Sequence, residues 1–600
     1  MFETDLAVIG DRIRQALAGL GVPDPGEAKW QPTPFAGEWG QGTNICFLAA
    51  AAEARAGKKV KVPARAQELA QSVAGRVELP AGFARIVADG AYINVYFDTA
   101  SYAGRVISAA IDQAGDFGRG QPKAERVMVE YAQPNTHHSF HIGHARTAVL
   151  GEAVARIVSF AGFDTIRASY PGDIGLGVIT VMWAYDKFYR GQEPEGLFER
   201  GQWLLKIYAE ATARLTPKEN DTPAEKAQRE AYEAERREMY LRWDQHDPAV
   251  RELWRVTRQW SLDELAAILA MLDIHIDVWF FESEVDEPSK EIVDELIARG
   301  IAEDQRPAGP VIVKIDEKLG LNKDKYRTAV ILRSDGTTLY LTKDLALARV
   351  KFETYHVDRS IYVVDFRQTL HFQQAFKILE LWGFPQAAKC YHLSYGFVTL
   401  PEGAMSARLG NVVLFKDVAD EAQRRVQAII EARNPDLDAG QRRQVAQQVG
   451  LGAIVYSLLE VDTLRDIVFD YDEALSFEGR SAPYIQNAYV RANSILKKAG
   501  SLPASGSFAY PLDPSEVMLI DLISRFPGIV QQAALDYKPL HVANYVYELA
   551  KTFHGFYHQV PVLQTEAEAV RQARLRLVAA ARQALGNALR LLVIQPPDVM

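Results

Sequence analysis

VMVEYAQPNTHHSFHIGHARTAVLGEAVARI, residues 127–157, passes from an apolar run through a proline turn and a glycine-bearing loop into helical periodicity. Val127 to Tyr131 predict a buried strand that ends in the turn at Pro134. The loop SFHIGHA then opens a helix, with Leu150, Val154, Ile157, Val158 and Ala161 as its apolar stripe and Gly162 closing it. DTIRASYP (164–171) reads as the next strand. Strand, loop, helix and strand within about 45 residues make one βαβ unit, the mark of a parallel α/β sheet. IYVVDF (361–366), followed by the helical HFQQAFKILELWGF (371–384), belongs to the same sheet.

Outward from this unit the chain changes character. Residues 1–120 mix helical and strand patterns and are expected to form a separate α/β domain. Phe2, Leu6, Ile9, Ile13, Leu17 and Leu20 share one helical face, so the start reads as mature protein and not as a signal peptide. In RVELPAGFARIVADGAYINVYFD (76–98) Ile93, Val95 and Phe97 alternate with Tyr92, Asn94 and Tyr96. GRGQPKAER (118–126) is a polar linker. The sheet domain is expected over 121–416, with a helical insertion near 190–265 where TPKENDTPAEKAQREAYEAERREMYLRW (216–243) is dense in charge. From 417 to 600 the pattern is helical, which suits a bundle.

Composition narrows the function. The chain has 600 residues, 48% hydrophobic and 24% charged, so it is globular and too long for one core. No apolar run reaches the roughly 18 to 20 residues of a membrane span. Its 67 basic and 77 acidic residues leave −10, which argues against a non-specific nucleic-acid coat without excluding local patches. Two cysteines, Cys46 and Cys390, exclude a disulfide framework and a Cys-rich zinc site, and the expected compartment is the reducing cytoplasm.

His141-Ile142-Gly143-His144 stands where a phosphate is expected. A helix N-terminus offers free N–H donors and the positive dipole end, and glycine allows close backbone approach. Two imidazoles there can donate to phosphate oxygens as charge shifts. As a bare tetrapeptide it also fits chance, a metal pair, or a surface cluster with His137 and His138. The missing glutamate of HExxH and the lack of Cys partners make zinc the weaker of these.

The stretch 129–157 resembles the first signature region of class I aminoacyl-tRNA synthetases and, among them, the arginyl-tRNA synthetases. The resemblance continues in order through pieces such as FYR, RW and FESE, then TTLYLTKDLALA (337–348) and IYVVDFRQTLHFQQAF (361–376). AMSARLGNVV (404–413) stands at the family's second signature, and DIVFDYDEALSFEGRSAPYIQNAYVRANSIL (466–496) resembles its anticodon-binding bundle. WGQGTNICFLAA (39–50) and GAYINVYF (90–97) resemble its additional N-terminal domain.

The resemblance implies a Rossmann-like parallel-sheet catalytic domain with an N-terminal α/β domain and a C-terminal α-helical bundle. It implies an arginine–tRNA ligase that takes L-arginine, ATP with Mg²⁺ and the tRNA for arginine, without structural zinc, acting as a monomer. Activation is expected to need bound tRNA. Glu130, Gln133, Pro134, Asn135, His144, Tyr340, Asp344 and Gln368 fall on arginine-binding positions. Guanidinium is planar and always charged, so carboxylate and hydroxyl acceptors suit it. Tyr340 and Asp344 lie four apart, on one face if that segment is helical. Read without the resemblance, Asp344 is an N-cap and Tyr340 a half-buried strand aromatic. Gln133 departs from the small residue usual there.

His138, His141, Gly143, His144, Met405, Ser406 and Arg408 fall on ATP-binding positions, with His141, Gly143, His144 and Arg408 as the catalytic group. The family's triphosphate-stabilising lysine is replaced by Ala404 in the second signature and by His138 before the first, leaving Arg408 as the permanent cation. For tRNA, Tyr92 and Asn94 match elbow contacts. Asp466, Tyr471, Phe477, Arg480, Tyr484 and Arg491 match anticodon contacts, interleaving aromatics and charge in a way that suits unpaired bases. Two rivals remain at this stage. One is a paralogue with reduced catalysis acting as an RNA-binding protein, which intact His141, Gly143 and His144 oppose. The other is a synthetase for another amino acid, which the polar Tyr340, Asp344 and Gln368 oppose.

Overall fold

In the computed structural model of the chain, residues 2–321, 325–399, 413–433 and 437–600 are described. The chain divides into two compact units. One comprises Met1–Phe117, Ala488–Pro527 and Glu548–Asn587; the other comprises Gly118–Asn487, Gly528–Tyr547 and Ala588–Met600.

The larger unit is built on five parallel strands in the order Tyr391–Tyr395, Arg359–Asp365, Arg126–Glu130, Asp164–Ser169, Val278–Trp279. The predicted first strand is therefore the central one. From Arg126–Glu130 the chain moves outward to one edge and later returns to fill the other side. At such a reversal the crevice beyond the carboxyl ends of the strands is open to a ligand. Glu130 and Asp365 are the last residues of the two strands that flank it.

The helix Ile142–Phe160 follows the central strand and is buried along most of its length, with Leu150, Val154, Ile157 and Val158 all at 3% exposure or less. Full burial of one such aliphatic side chain contributes about 1.5–3 kcal/mol, so the stripe holds the helix on the sheet. Gly162 ends the turn at a φ of 101°, and a Cβ there would sit 2.0 Å from the Gln121 carbonyl oxygen. Only glycine closes this helix without a clash.

Between the strands Asp164–Ser169 and Val278–Trp279 the chain inserts the helices Leu197–Leu215, Pro223–Asp244 and Pro248–Met271. They pack through Leu204, Ile207, Met239, Trp243, Val250 and Leu253, in one cluster with Trp183 of the preceding helix Leu176–Ala184. In Pro223–Asp244 only Met239 and Trp243 are buried, so the charged stretch is a solvated helix, as its composition predicts. After residue 413 the chain is almost wholly helical: Phe415–Arg433, Ala439–Leu459, Ala482–Ala499, Pro514–Asp536, Leu540–Gln559 and Glu568–Leu591. None of the helices among the described residues is long and apolar enough to cross a membrane.

The smaller unit contains an antiparallel sheet in the order Gln31–Pro32, Gly40–Thr43, Tyr92–Phe97, Phe83–Asp89. Helix Glu3–Gly19 buries Leu6, Ile9, Ile13 and Leu17, with Phe2 and Leu20 partly covered. The strand alternation is broken at one position. Tyr92 is 54% exposed, but Asn94 is buried, not outward as the alternation suggests. Gly42 faces it on the neighbouring strand, and a Cβ at Gly42 would lie 2.6 Å from the Asn94 Oδ1. The missing side chain leaves a slot, and Asn94 fills it.

Candidate active site

His141 is the N-cap of the helix Ile142–Phe160. Its Nδ1 accepts from the His144 backbone N–H at 3.3 Å, while the His144 Nδ1 accepts from the His141 N–H at 3.4 Å. The two rings stack with centroids 3.6 Å apart. A Cβ on Gly143 would lie 2.9 Å from the His141 ring, so the glycine makes room for the stack and not only for a ligand. Burial lowers His141 to about 4 and drives His144 well below its ordinary value, so both rings are neutral at pH 7. Because each Nδ1 accepts from backbone, the proton of each ring belongs on Nε2, where it is free to donate. Histidine-selective ¹⁵N NMR should find both rings as neutral Nε2–H tautomers at pH 7, with His141 still neutral at pH 5. A titration near 6.5 would contradict this geometry.

The loop before this helix is gripped by one face of Pro248–Met271. His137, left-handed at a φ of 64°, donates its N–H to the Ser261 Oγ at 2.8 Å, and its ring Nε2 meets the Thr257 Oγ1 at 2.8 Å. The buried Glu264 carboxyl, one turn further on, accepts from the Phe140 N–H and is pushed up to about 8 by burial. Thr257, Ser261 and Glu264 follow helical spacing, so a single stripe holds the loop. His138 stands with its ring edge-on to Tyr208 at 4.5 Å, and burial lowers its pKa. On the other side Ile142 N–H donates to the Val413 carbonyl at 3.2 Å and Phe415 N–H to the Phe140 carbonyl at 3.0 Å. Met405, Ser406 and Arg408 lie outside the described residues.

Arg146, two residues past the histidine pair, escaped the reading of the sequence. It is 1% exposed, and its guanidinium donates to four carbonyls: Gly396 at 2.8 Å, Phe397 at 3.0 Å, Thr463 at 2.9 Å and Arg465 at 2.8 Å. Burial brings its pKa down to about 10, still charged at neutral pH. The adjacent strands Val398–Thr399 and Ile467–Val468 pair in parallel. Asp466, a predicted tRNA contact, belongs to this junction: its Oδ1 accepts from the Phe397 N–H at 2.6 Å.

A second group of residues gathers around the Tyr170 phenol. Its hydroxyl is buried with no hydrogen-bond partner among the described residues. Burial first, then the charges of Asp344, Glu282, Glu130 and Asp173, raise its pKa well above the ordinary value. Three of these carboxylates have a permanent cation. Glu130 pairs with Lys351 at 2.6 Å, Glu282 with Lys343 at 2.7 Å, and Asp173 with Arg258 at 2.9 Å. Asp344 has none among the described residues; its Oδ2 meets the His371 Nε2 at 2.5 Å.

Asp344 lies inside the helix Tyr340–Glu353, whose N-cap is Leu339, so it is not a cap. Tyr340 shares that helix, 66% exposed and within electrostatic range of Glu282 and Lys343. Gln368, exposed, caps the helix Thr369–Trp382 that carries His371. Asn135 is exposed beside Gly172, where a Cβ would lie 2.3 Å from the Asn135 Oδ1 and 3.2 Å from a Glu282 carboxylate oxygen. Pro134 is buried, and the Gln133 Oε1 is buried without a partner among the described residues. Glu130, Asn135 and Asp344 thus converge with Tyr170 and Glu282, two residues that no spacing in the sequence singles out. No group of three or more His, Cys, Asp or Glu side chains among the described residues is arranged to hold a metal ion.

The remaining candidates lie on, or in the turns between, the helices after residue 466. The Arg480 guanidinium lies 4.9 Å above the Tyr547 ring and donates to Asn544, and Tyr484 packs 5.9 Å from Tyr547. Burial raises the neighbouring Glu460 to about 7, with Arg480 opposing the shift. Arg491 donates to the His554 Nδ1 at 3.1 Å and covers Tyr557 at 5.1 Å. Tyr471 lies beneath Arg425 at 4.7 Å, and Phe477 is half-buried. Tyr547 and Tyr557 sit in a distant stretch of the chain, so only packing makes them partners of the predicted residues.

Comparison with known proteins gives the family of the chain. Residues 106–471 match the family model for the class I tRNA synthetase (R) catalytic domain, and residues 485–600 match the DALR anticodon binding domain. The chain is 36% identical over 520 residues to the arginine–tRNA ligase of Bdellovibrio bacteriovorus, covering 86% of this chain and 87% of that one. It is 33% identical over 540 residues to that of Halothermothrix orenii, covering 89% and 90%. The solved arginyl-tRNA synthetase of Thermus thermophilus superposes with a TM-score of 0.77 at 26% identity, covering 99% of this chain and 100% of that one. With a catalytic body, an anticodon-binding region and near full-length relatives all in agreement, this chain belongs to the arginyl-tRNA synthetases of class I.

Proposed function

We propose that the residues around Tyr170 bind the side chain of arginine and those around His141 bind ATP, in an arginine–tRNA ligase reaction of two steps. The observation that carries the pocket is the charge count. Of the four carboxylates facing Tyr170, only Asp344 lacks a permanent cation among the described residues. A guanidinium supplies that cation and offers donors to Asp344, Glu130 and the unpartnered phenol. Asn135, Gln133, Pro134, Tyr340 and Gln368 complete the walls.

In the first step the arginine carboxylate attacks the α-phosphorus of ATP, which enters as its Mg²⁺ complex, and pyrophosphate leaves. The neutral Nε2–H groups of His141 and His144 donate to phosphate oxygens, and the helix N-terminus adds its own N–H donors. The histidines need no proton from solvent to act. Arg408 carries the triphosphate role that the missing lysines leave vacant. In the second step a ribose hydroxyl of the terminal adenosine of tRNA attacks the carbonyl of arginyl-adenylate and AMP leaves. Catalysis is positioning and charge stabilisation, not covalent chemistry by the protein.

Residues 1–120 serve the tRNA elbow through Tyr92, residues 121–416 carry the chemistry, and residues 417–600 take the anticodon. Arg480 with Tyr484 and Tyr547 supplies a stacking and charge surface there. The protein works as a cytoplasmic monomer. Release of pyrophosphate from ATP that requires both arginine and its tRNA tests the whole reading. Equal release with another amino acid would overturn it.

A further inference from the structure

Lys351 is the least expected residue near the pocket. It is 0% exposed, on the helix Tyr340–Glu353 and two turns past Asp344, so both face the same way. Its Nζ lies 2.6 Å from the Glu130 Oε2 and 4.0 Å above the ring of Tyr362. Tyr362 pairs with Glu130 across the two central strands. The Glu130 carboxyl is 3% exposed and receives opposite influences: Lys351 attracts it as an anion, while Asp344 repels it.

A fully buried ion pair is a weak device for stability, because desolvating both charges consumes most of their attraction. An apolar pair would pack this site as well. What an apolar pair cannot do is keep a carboxylate charged within an acidic cluster before the substrate arrives. We propose that Lys351 is a positioning residue for amino-acid recognition: its ammonium holds the Glu130 carboxylate in place as an anion for the substrate guanidinium. This rests on the reading of the Tyr170 cavity as the arginine pocket.

The groups around Glu130 define the expected pH behaviour. Lys351 and Asp344 face it from one helix, Tyr170 follows the strand Asp164–Ser169, and Tyr362 lies on the neighbouring strand with Cys390 beside it. Burial already raises the Glu130 pKa, and the Lys351 ammonium opposes the rise. Without it, burial and Asp344 act unopposed, so the Glu130 anion forms less readily and is favoured again only as pH increases.

The test is the arginine KM in tRNA charging from pH 6 to 9, each variant divided by the wild type so that titration of the substrate cancels. Lys351→Met should raise this ratio by about tenfold near pH 7, one decade of affinity, and the ratio should shrink towards pH 9. The ATP KM should not move, and Lys351→Arg should restore most of the affinity. A ratio for Lys351→Met that is unity, or raised equally at every pH, overturns the proposal. Glu130→Gln tests the pocket separately: an unchanged arginine KM would remove Glu130 from the site and the proposal with it. If Lys351→Met does not fold, Glu130→Gln is compared with Glu130→Gln/Lys351→Met, which buries no unpaired charge. Equal arginine KM in the two supports action through Glu130 alone, and a further rise in the double variant overturns it.

Discussion

Asp344→Asn should cost this enzyme about 3 to 5 kcal/mol in arginine binding, the usual loss when one member of a buried charge pair is removed. That is a fall of at least about 100-fold in affinity. Asparagine keeps the shape and can still meet His371, so folding is expected to survive. What disappears is the one carboxylate of the four near Tyr170 that no lysine or arginine among the described residues neutralises. The guanidinium would then meet a cluster whose other three anions are already paired. The effect should fall on the arginine KM in pyrophosphate exchange run with tRNA present, and leave the ATP KM within a few-fold. An unchanged arginine KM would take Asp344 out of the pocket.

Arg146→Ala should be the most damaging single change near the signature helix. Its guanidinium satisfies four carbonyls drawn from two separate stretches, Gly396–Phe397 and Thr463–Arg465. Hydrogen bonds to charged groups contribute about 1.5–3 kcal/mol each, and acceptors left dry and unpaired cost a further amount, so a total near 5 kcal/mol is expected. The contacts share one side chain and will not add fully. Melting temperature should drop, and adenylation should fall by more than 100-fold in whatever protein remains folded. Arg146→Lys keeps the charge but loses the planar fork of donors, so it should recover only a small part of either property. Normal turnover in Arg146→Ala would mean that the junction has no part in placing the catalytic loop.

The two changes differ in what they read. Asp344 acts on the substrate directly, so its loss appears in one KM. Arg146 never reaches substrate, so its loss appears in stability and in every kinetic parameter together.

The βαβ unit, the helical insertion and the helical C-terminal region were all legible in periodicity and punctuation, because each depends on residues close together in the chain. A buried strand shows as an apolar run, a helix as a repeat near 3.6 and its end as Gly162. The histidine pair was legible for the same reason, since both residues and Gly143 sit within one turn. Asp344 and Tyr340 were legible as helix neighbours. Local spacing could not say that the helix starts at Tyr340, that Leu339 is the cap, or that, of the four carboxylates near Tyr170, only Asp344 lacks a permanent cation among the described residues.

Charge balance and hydrogen-bond closure join residues hundreds of positions apart, and no window along the chain contains them. Lys351 reaches Glu130 only because their helix and strand pack together, and Arg146 meets Thr463 only once the helices fold back. Asn94 turned inward because Gly42, on another strand, left it space. Asp466 was drawn into a backbone junction by Phe397. Sequence pattern thus set the elements and the class of chemistry, since both follow from local propensity and residue type. Only tertiary packing chose which charges remain unpaired for a ligand, because pairing is decided by distance in space.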